Sequence, residues 1–177
     1  VCSMVLIREN NMAQIKFEDL PRVRKKHKKE RVVFCSGSFD LTHAGHLLFF
    51  EDCKKQGDVL VVMVGSDAAV KRDKGGKRPF LNEHTRMKLI DALRPVDYCF
   101  TDKLVPAGAH PLDYIDYAFR ELKPDIYVVN DEASDTPYRE IMANRHGVKL
   151  VILNRSCPPE FEKISTSGII KKIKEIG

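Results

Sequence analysis

The amino-acid sequence predicts an α/β fold, a doubly wound parallel five-stranded sheet with helices on both faces. Three observations carry that prediction. Short apolar runs without alternation, the clearest being Val59-Leu60-Val61-Val62-Met63-Val64, read as strands buried on both faces. Stretches with helical apolar spacing separate these runs, as βαβ units require. Glycine turns, at Gly37 and Gly65, stand at strand carboxyl ends, where sheets of this kind hold their ligands.

Taken in order, residues 1–30 read as an N-terminal extension and residues 31–177 as one domain. Within the extension, Phe17-Glu18-Asp19-Leu20-Pro21 opens a short helix that continues into a basic segment. Arg31-Val32-Val33-Phe34-Cys35 is the first strand, and residues 44–56 form the helix after it. Gly57-Asp58 turns the chain into the second strand, 59–64, which Gly65-Ser66-Asp67 ends with a glycine and a helix-capping residue. The basic, glycine-rich stretch 71–79 is expected as a mobile loop. Asn82 to Arg86 opens a helix carrying Met87, Leu89, Ile90 and Leu93, followed by a short strand at 97–100. Leu112, Ile115, Phe119 and Leu122 keep helical spacing before the strand at 126–129. Residues 137–146 form a helix that Gly147 ends, then come a strand at 148–153 and a last helix at 165–176. That last helix places Ile169, Ile170, Ile173 and Ile176 on one face.

Composition narrows the class. With 43% hydrophobic and 31% charged residues, the chain has the balance of a globular protein, and no apolar run approaches the roughly 18 residues of a membrane span. Met4-Val5-Leu6-Ile7 is too short for a secretory segment and has no basic residues before it. Five cysteines (Cys2, Cys35, Cys53, Cys99 and Cys157) form no C-x-x-C pair, which fits reduced thiols and a cytoplasmic location. The net charge of +5 is local. Seven of the 30 basic side chains and one of the 25 acidic ones lie between Arg22 and Arg31, which leaves 23 against 24 elsewhere. A nucleic-acid contact for that run is the sharper reading and a solvated helix the plainer one. It has no aromatic side chains to stack bases, so nucleic acid is not the expected partner.

The stretch Phe34-Cys35-Ser36-Gly37-Ser38-Phe39-Asp40-Leu41-Thr42-His43-Ala44-Gly45-His46 joins a strand, a glycine turn and a helix start. Backbone N–H groups and the positive end of the helix dipole make such a junction an anion site. His43 and His46, three residues apart, share a helical face and can meet one anion. Gly45, without a Cβ, permits close approach of a bulky group. At the other end of the chain, Ile164-Ser165-Thr166-Ser167 opens a helix with three hydroxyls. Hydroxyls and free N–H groups at a helix start can hold phosphates, but taken alone the run reads as an ordinary cap.

Gly-Ser-Phe-Asp-Leu-Thr-His-Ala-Gly-His together with Ile-Ser-Thr-Ser resembles the signatures of the cytidylyltransferase-like nucleotidyltransferases, over roughly residues 31 to 176. The resemblance implies a Rossmann-like sheet and a homodimer. It also implies transfer of a nucleoside monophosphate from a nucleoside triphosphate to a small phosphorylated acceptor, with pyrophosphate released. By the same resemblance His43, His46 and Lys74 would act in catalysis. Gly37, Ser38, Phe39, Asp40, Gly45 and Arg86 would contact the nucleotide, as would Ile164, Ser165, Thr166 and Ser167. Asn130 and Asp131 sit where relatives place residues near the nucleotide. Mg²⁺ would travel on the nucleotide phosphates, and no protein metal ligands are expected.

Two departures bear on substrate. The lipid-headgroup and glycerol-phosphate cytidylyltransferases carry Arg-Thr-Glu-Gly before Ile-Ser-Thr, whereas this chain has Glu160-Phe161-Glu162-Lys163. The stretch from Ser66 to Pro79 is more similar to heptose-phosphate adenylyltransferases, which form the second domain of bifunctional heptose enzymes. ATP and a sugar or polyol phosphate such as heptose 1-phosphate are therefore expected. The alternatives are CTP with glycerol 3-phosphate, choline phosphate or ethanolamine phosphate, a non-catalytic nucleotide sensor, or a nucleic-acid adaptor. Metal binding by the two histidines lacks a third ligand at zinc spacing. A class I aminoacyl-tRNA synthetase would need tRNA-binding domains for which the chain is too short.

Overall fold

The computed structural model describes residues 14–102, 109–154 and 156–176. The readings of Cys2 and of Met4 to Ile7 lie outside them. Five strands, β1 (Val32–Gly37), β2 (Val59–Val64), β3 (Tyr98–Thr101), β4 (Ile126–Asn130) and β5 (Lys149–Leu153), form one sheet in the order β3-β2-β1-β4-β5. Every pairing is parallel, so the fold is the expected doubly wound α/β sheet. The order reverses between β1 and β4, which places the ligand crevice above their carboxyl ends.

Seven α-helices are described: α1 (Leu20–Lys26), α2 (Ala44–Lys54), α3 (Asp67–Lys74), α4 (Glu83–Asp91), α5 (Asp113–Leu122), α6 (Thr136–Arg145) and α7 (Thr166–Ile176). Among the described residues no helix is long and apolar enough to cross a membrane. Successive strand residues face opposite sides, and the core divides accordingly. Phe34, Val61, Phe100 and Tyr127 pack with α1, α5 and α6 on one side. Val33, Cys35, Leu60 and Val128 pack with α2 and α4 on the other. Phe34, Phe119 and Tyr127 meet with ring centroids 5.2 to 5.6 Å apart, two of the three contacts edge-to-face, the favoured aromatic geometry.

The helix of the basic segment is anchored. Phe17, Leu20 and Val23 are buried against the core, while Arg24 pairs with Asp125 at 2.9 Å and Lys26 donates to the Tyr98 hydroxyl at 3.0 Å. The stretch expected as a loop from residue 71 is helical as far as Lys74. The Ser66 hydroxyl caps α3 by accepting from the Ala69 N–H at 3.2 Å, Ala69 and Val70 are buried, and Gly75, at φ 90°, releases the chain only after Lys74. Burial pushes the Cys35 thiol well above its ordinary value and the Cys99 thiol up to about 12, so both are inert small hydrophobes.

Candidate active site

The site grows from the turn after β1. Phe39 (φ 46°) and Leu41 (φ 51°) are both left-handed, a conformation that non-glycine residues adopt only when their surroundings hold them there. Part of the hold is Gly37. A Cβ there would lie 2.9 Å from the Phe39 ring, so its absence lets that ring fold back beneath the turn. The ring then packs at 5.0 Å from Phe50 and edge-on to His46 at 5.5 Å.

Asp40 provides the rest. Its buried carboxylate accepts from the N–H groups of Phe80 at 2.9 Å and Leu81 at 3.1 Å, and from Arg78 Nε at 2.7 Å. Burial pushes the carboxyl up, but the two N–H groups and the guanidinium outweigh it and hold it below its ordinary value. Asp40, expected at the nucleotide, lines the cleft and also latches the 78–81 stretch to the turn.

The two histidines divide their work. His43 is the extended N-cap of α2, and its backbone N–H donates to His46 Nδ1 at 3.4 Å. A neutral His46 ring that accepts at Nδ1 carries its proton on Nε2, where it can donate to a ligand. The rings stack with centroids 4.0 Å apart. His46 lines the cleft, whereas the His43 ring nitrogens are shielded from solvent. His43, expected to reach the same anion, is half-buried and is not among the residues that line the cleft. Gly45 lines the cleft and also sits against the chain's own backbone. A Cβ there would stand 3.0 Å from the Ile164 carbonyl oxygen and from the His43 ring, so the chain's own backbone makes a close approach there.

That contact brings the two ends of the sequence together. The Thr166 hydroxyl donates to the Asp40 carbonyl at 2.9 Å, and the Ser165 hydroxyl accepts from the Gly168 N–H at 3.1 Å. Two of the three hydroxyls are thus committed to local structure. Ser167 is exposed and lines the cleft with Thr166. The amino ends of α2 and α7 therefore open on the same space, a cleft of about 770 Å³.

Gly37, Ser38, Phe39 and Gly45 line this cleft, as do Asn130 and, at its rim, exposed Lys74. Asp131 does not; it is exposed on the β5 side, where its N–H donates to the Leu153 carbonyl at 3.1 Å. Arg86 is the largest departure. Expected to face phosphates, it is fully buried and donates to the carbonyls of Leu81 (2.8 Å), Ser38 (2.7 Å) and Gly65 (2.6 Å) and to Asp67 (2.7 Å). Four acceptors converge on it from three turns, so it organises the site without entering it.

Sequence reasoning missed the far wall, made by Arg72, His110, Tyr114, Asp135 and Arg139. His110 stacks on Tyr138 at 3.7 Å and meets Asp135 at 3.1 Å. One signal was present. Arg139, Met142 and Ala143 lie at i, i+3 and i+4, a buried helical stripe that includes a cation. Among the described residues no group of three His, Cys, Asp or Glu side chains is placed to hold a metal ion.

Residues 34–172 match a family model described as cytidylyltransferase-like. Among curated proteins, the chain is 37% identical over 149 residues to the bifunctional protein HldE of Helicobacter pylori (strain G27), covering 84% of this chain and 28% of that one. It is 34% identical over 152 residues to the HldE of Haemophilus influenzae (strain PittGG), with 84% and 29% covered. The chain thus spans little more than a quarter of these relatives. Among solved structures, the lipopolysaccharide core biosynthesis protein of Thermoplasma volcanium GSS1 is 30% identical. The match covers 72% of this chain and 97% of that one, with a TM-score of 0.58. Pantoate-beta-alanine ligase from Francisella tularensis, 14% identical with 93% and 78% covered and a TM-score of 0.63, shares the fold.

Proposed function

This chain belongs to the cytidylyltransferase-like family of nucleotidyltransferases, and from that premise we propose that it transfers a nucleoside monophosphate to a small phosphorylated sugar or polyol. The donor in this proposal is ATP in preference to CTP, and the acceptor a heptose 1-phosphate or a close relative. An acceptor phosphate oxygen attacks the α-phosphorus, the bond from that phosphorus to the β-bridging oxygen breaks, and pyrophosphate leaves. The acceptor is already an anion, so no strong base is required; positioning and charge neutralisation supply the rate.

The observation that carries the reading is the seam between α2 and α7. Gly45 against the Ile164 carbonyl, and Thr166 on the Asp40 carbonyl, aim two helix amino ends at one cleft beside the His46 ring. In the proposal His46 Nε2–H donates to the α-phosphate, and His43 holds that ring by stacking. Lys74 adds positive charge at the rim. Ser167 and the first N–H groups of α7 seat the leaving pyrophosphate. Asp40 is engaged by Arg78, and in the proposal the cation arrives on the triphosphate. Mg²⁺ held by the phosphate oxygens would there neutralise charge that develops on the leaving group.

Two similarities support a sugar-phosphate acceptor. One is with the HldE proteins; the other is with a protein described as acting in lipopolysaccharide core biosynthesis. The absence of arginine from Glu160 to Lys163 sets the chain apart from headgroup enzymes. A homodimer remains part of the proposal. With α-labelled ATP and heptose 1-phosphate, the label should appear in a sugar nucleotide as unlabelled pyrophosphate is released. Label recovered only as unreacted ATP, while CTP turns over, would reassign the donor.

A further inference from the structure

Arg139 lies on α6, is 8% exposed, and lines the cleft. Its Nε donates to the Ser134 carbonyl at 2.8 Å and its Nη1 donates to the Tyr127 hydroxyl, which lies 3.4 Å from the Ser36 hydroxyl. All these partners are neutral. Burial pushes the Tyr127 phenol up against the opposing pull of the arginine, so it stays protonated. Among the described residues no carboxylate oxygen lies within 4.0 Å of the Arg139 nitrogens. A guanidinium cannot shed its proton, and a buried cation without a counter-charge is costly to keep. The chain holds this one in place by two hydrogen bonds and leaves its charge to be met from the cleft.

The two faces of the sheet decide which anion meets it. Phe39, beside His46, packs in the core on the α2 side, and Val151 and Leu153 of β5 pack there too. Tyr127, to which Arg139 donates, and Met142 and Ala143, buried on the same helix as Arg139, belong to the core on the α5 and α6 side. His46 thus enters the cleft from one face of the sheet and Arg139 from the other. We propose that Arg139 binds the phosphate of the acceptor, holding it across the cleft from the nucleotide. This rests on the transferase reading for the identity of the second substrate. Arg72, held by the Pro111 carbonyl at 3.0 Å and paired with Asp73 at 2.8 Å, and His110, which meets Asp135 at 3.1 Å, line the same wall. They suit a phosphomonoester dianion, which a guanidinium fork grips by two hydrogen bonds.

The test compares wild type with Arg139→Gln and Arg139→Lys by calorimetry. The probes are inorganic phosphate, standing for the acceptor's phosphate, and α,β-methylene ATP at saturation, filling the nucleotide side. Phosphate affinity should fall about tenfold or more in Arg139→Gln and by less in Arg139→Lys, with the affinity for the analogue changed less than twofold. Unchanged phosphate binding overturns the proposal. So does a weakened analogue with phosphate unaffected, which would move Arg139 to the nucleotide. A lowered melting temperature in Arg139→Lys with both affinities unchanged would make it merely structural. If wild type bound phosphate through Arg139 but not the analogue, the transferase reading would fail and the anion site would stand. If wild type bound neither, both would fail.

Discussion

The Arg86 guanidinium donates to the Ser38 carbonyl at 2.7 Å and, from the same nitrogen, to the Gly65 carbonyl at 2.6 Å. One buried side chain thereby joins the turns that follow β1 and β2, and α4 carries it there. The shape of the turn after β1 depends on a fully buried cation.

Arg86→Ala is expected to destabilise the fold by about 3–5 kcal/mol, because it strands buried carbonyls as well as Asp67. Arg86→Lys should recover little of this, since one ammonium cannot span four acceptors in a fixed fork. Urea unfolding of both variants reads the outcome. A lysine variant as stable as wild type would show that charge alone suffices.

Asp40 gives the structure an acid limb. Its carboxyl is held below its ordinary value, so the stability it adds is present above about pH 4 and is lost as the pH falls through the lower, folded value. Thermal melts between about pH 5 and 2.5 should therefore fall less steeply for Asp40→Asn than for wild type, from a lower starting point. Parallel curves would remove the latch from the acid limb.

Gly45 marks the seam between the two motifs. In Gly45→Ala the new methyl meets a backbone oxygen and a packed ring, neither free to swing away. A cost of roughly 1–3 kcal/mol is expected, with a larger Michaelis constant for the nucleotide as α7 is pushed from α2. Wild-type stability and kinetics in this variant would show that the two helix ends need not touch.

Lys74 separates charge from structure. It is exposed at the end of α3, so Lys74→Ala should leave the melting temperature within about 1 °C while lowering kcat. Equal activity in the variant would remove it from the chemistry.

The order of elements was legible because buried parallel strands are continuous apolar runs, as in Val59–Val64. The motifs were legible because glycines, histidines and hydroxyls cluster at strand and helix ends. The partner of each motif residue was not. Asp40 and Arg86 have the residue types of ligand contacts, and only their distant acceptors and donors, Phe80, Leu81, Ser38 and Gly65, show how much they also serve the scaffold. Charge misled at one more place. Lys71 to Lys74 looked like a loop, yet the Ser66 cap and buried Val70 make it helix. Arg139 drew no expectation, because only its contact with the distant Tyr127 hydroxyl and its burial at the cleft reveal it. Tyr127, a hydroxyl inside an apolar strand, was the hint that a polar partner waits beneath the cleft.

The most direct measurement is Mg²⁺-dependent pyrophosphate release by wild type and His46→Ala, with ATP and CTP each offered against heptose 1-phosphate, glycerol 3-phosphate, choline phosphate and ethanolamine phosphate. The account predicts release with ATP and the heptose phosphate, reduced in kcat at least ~10²-fold by the substitution while the protein keeps its fold. Release that His46→Ala leaves unchanged, or a wild-type protein that neither binds nucleotide nor releases pyrophosphate, would contradict it.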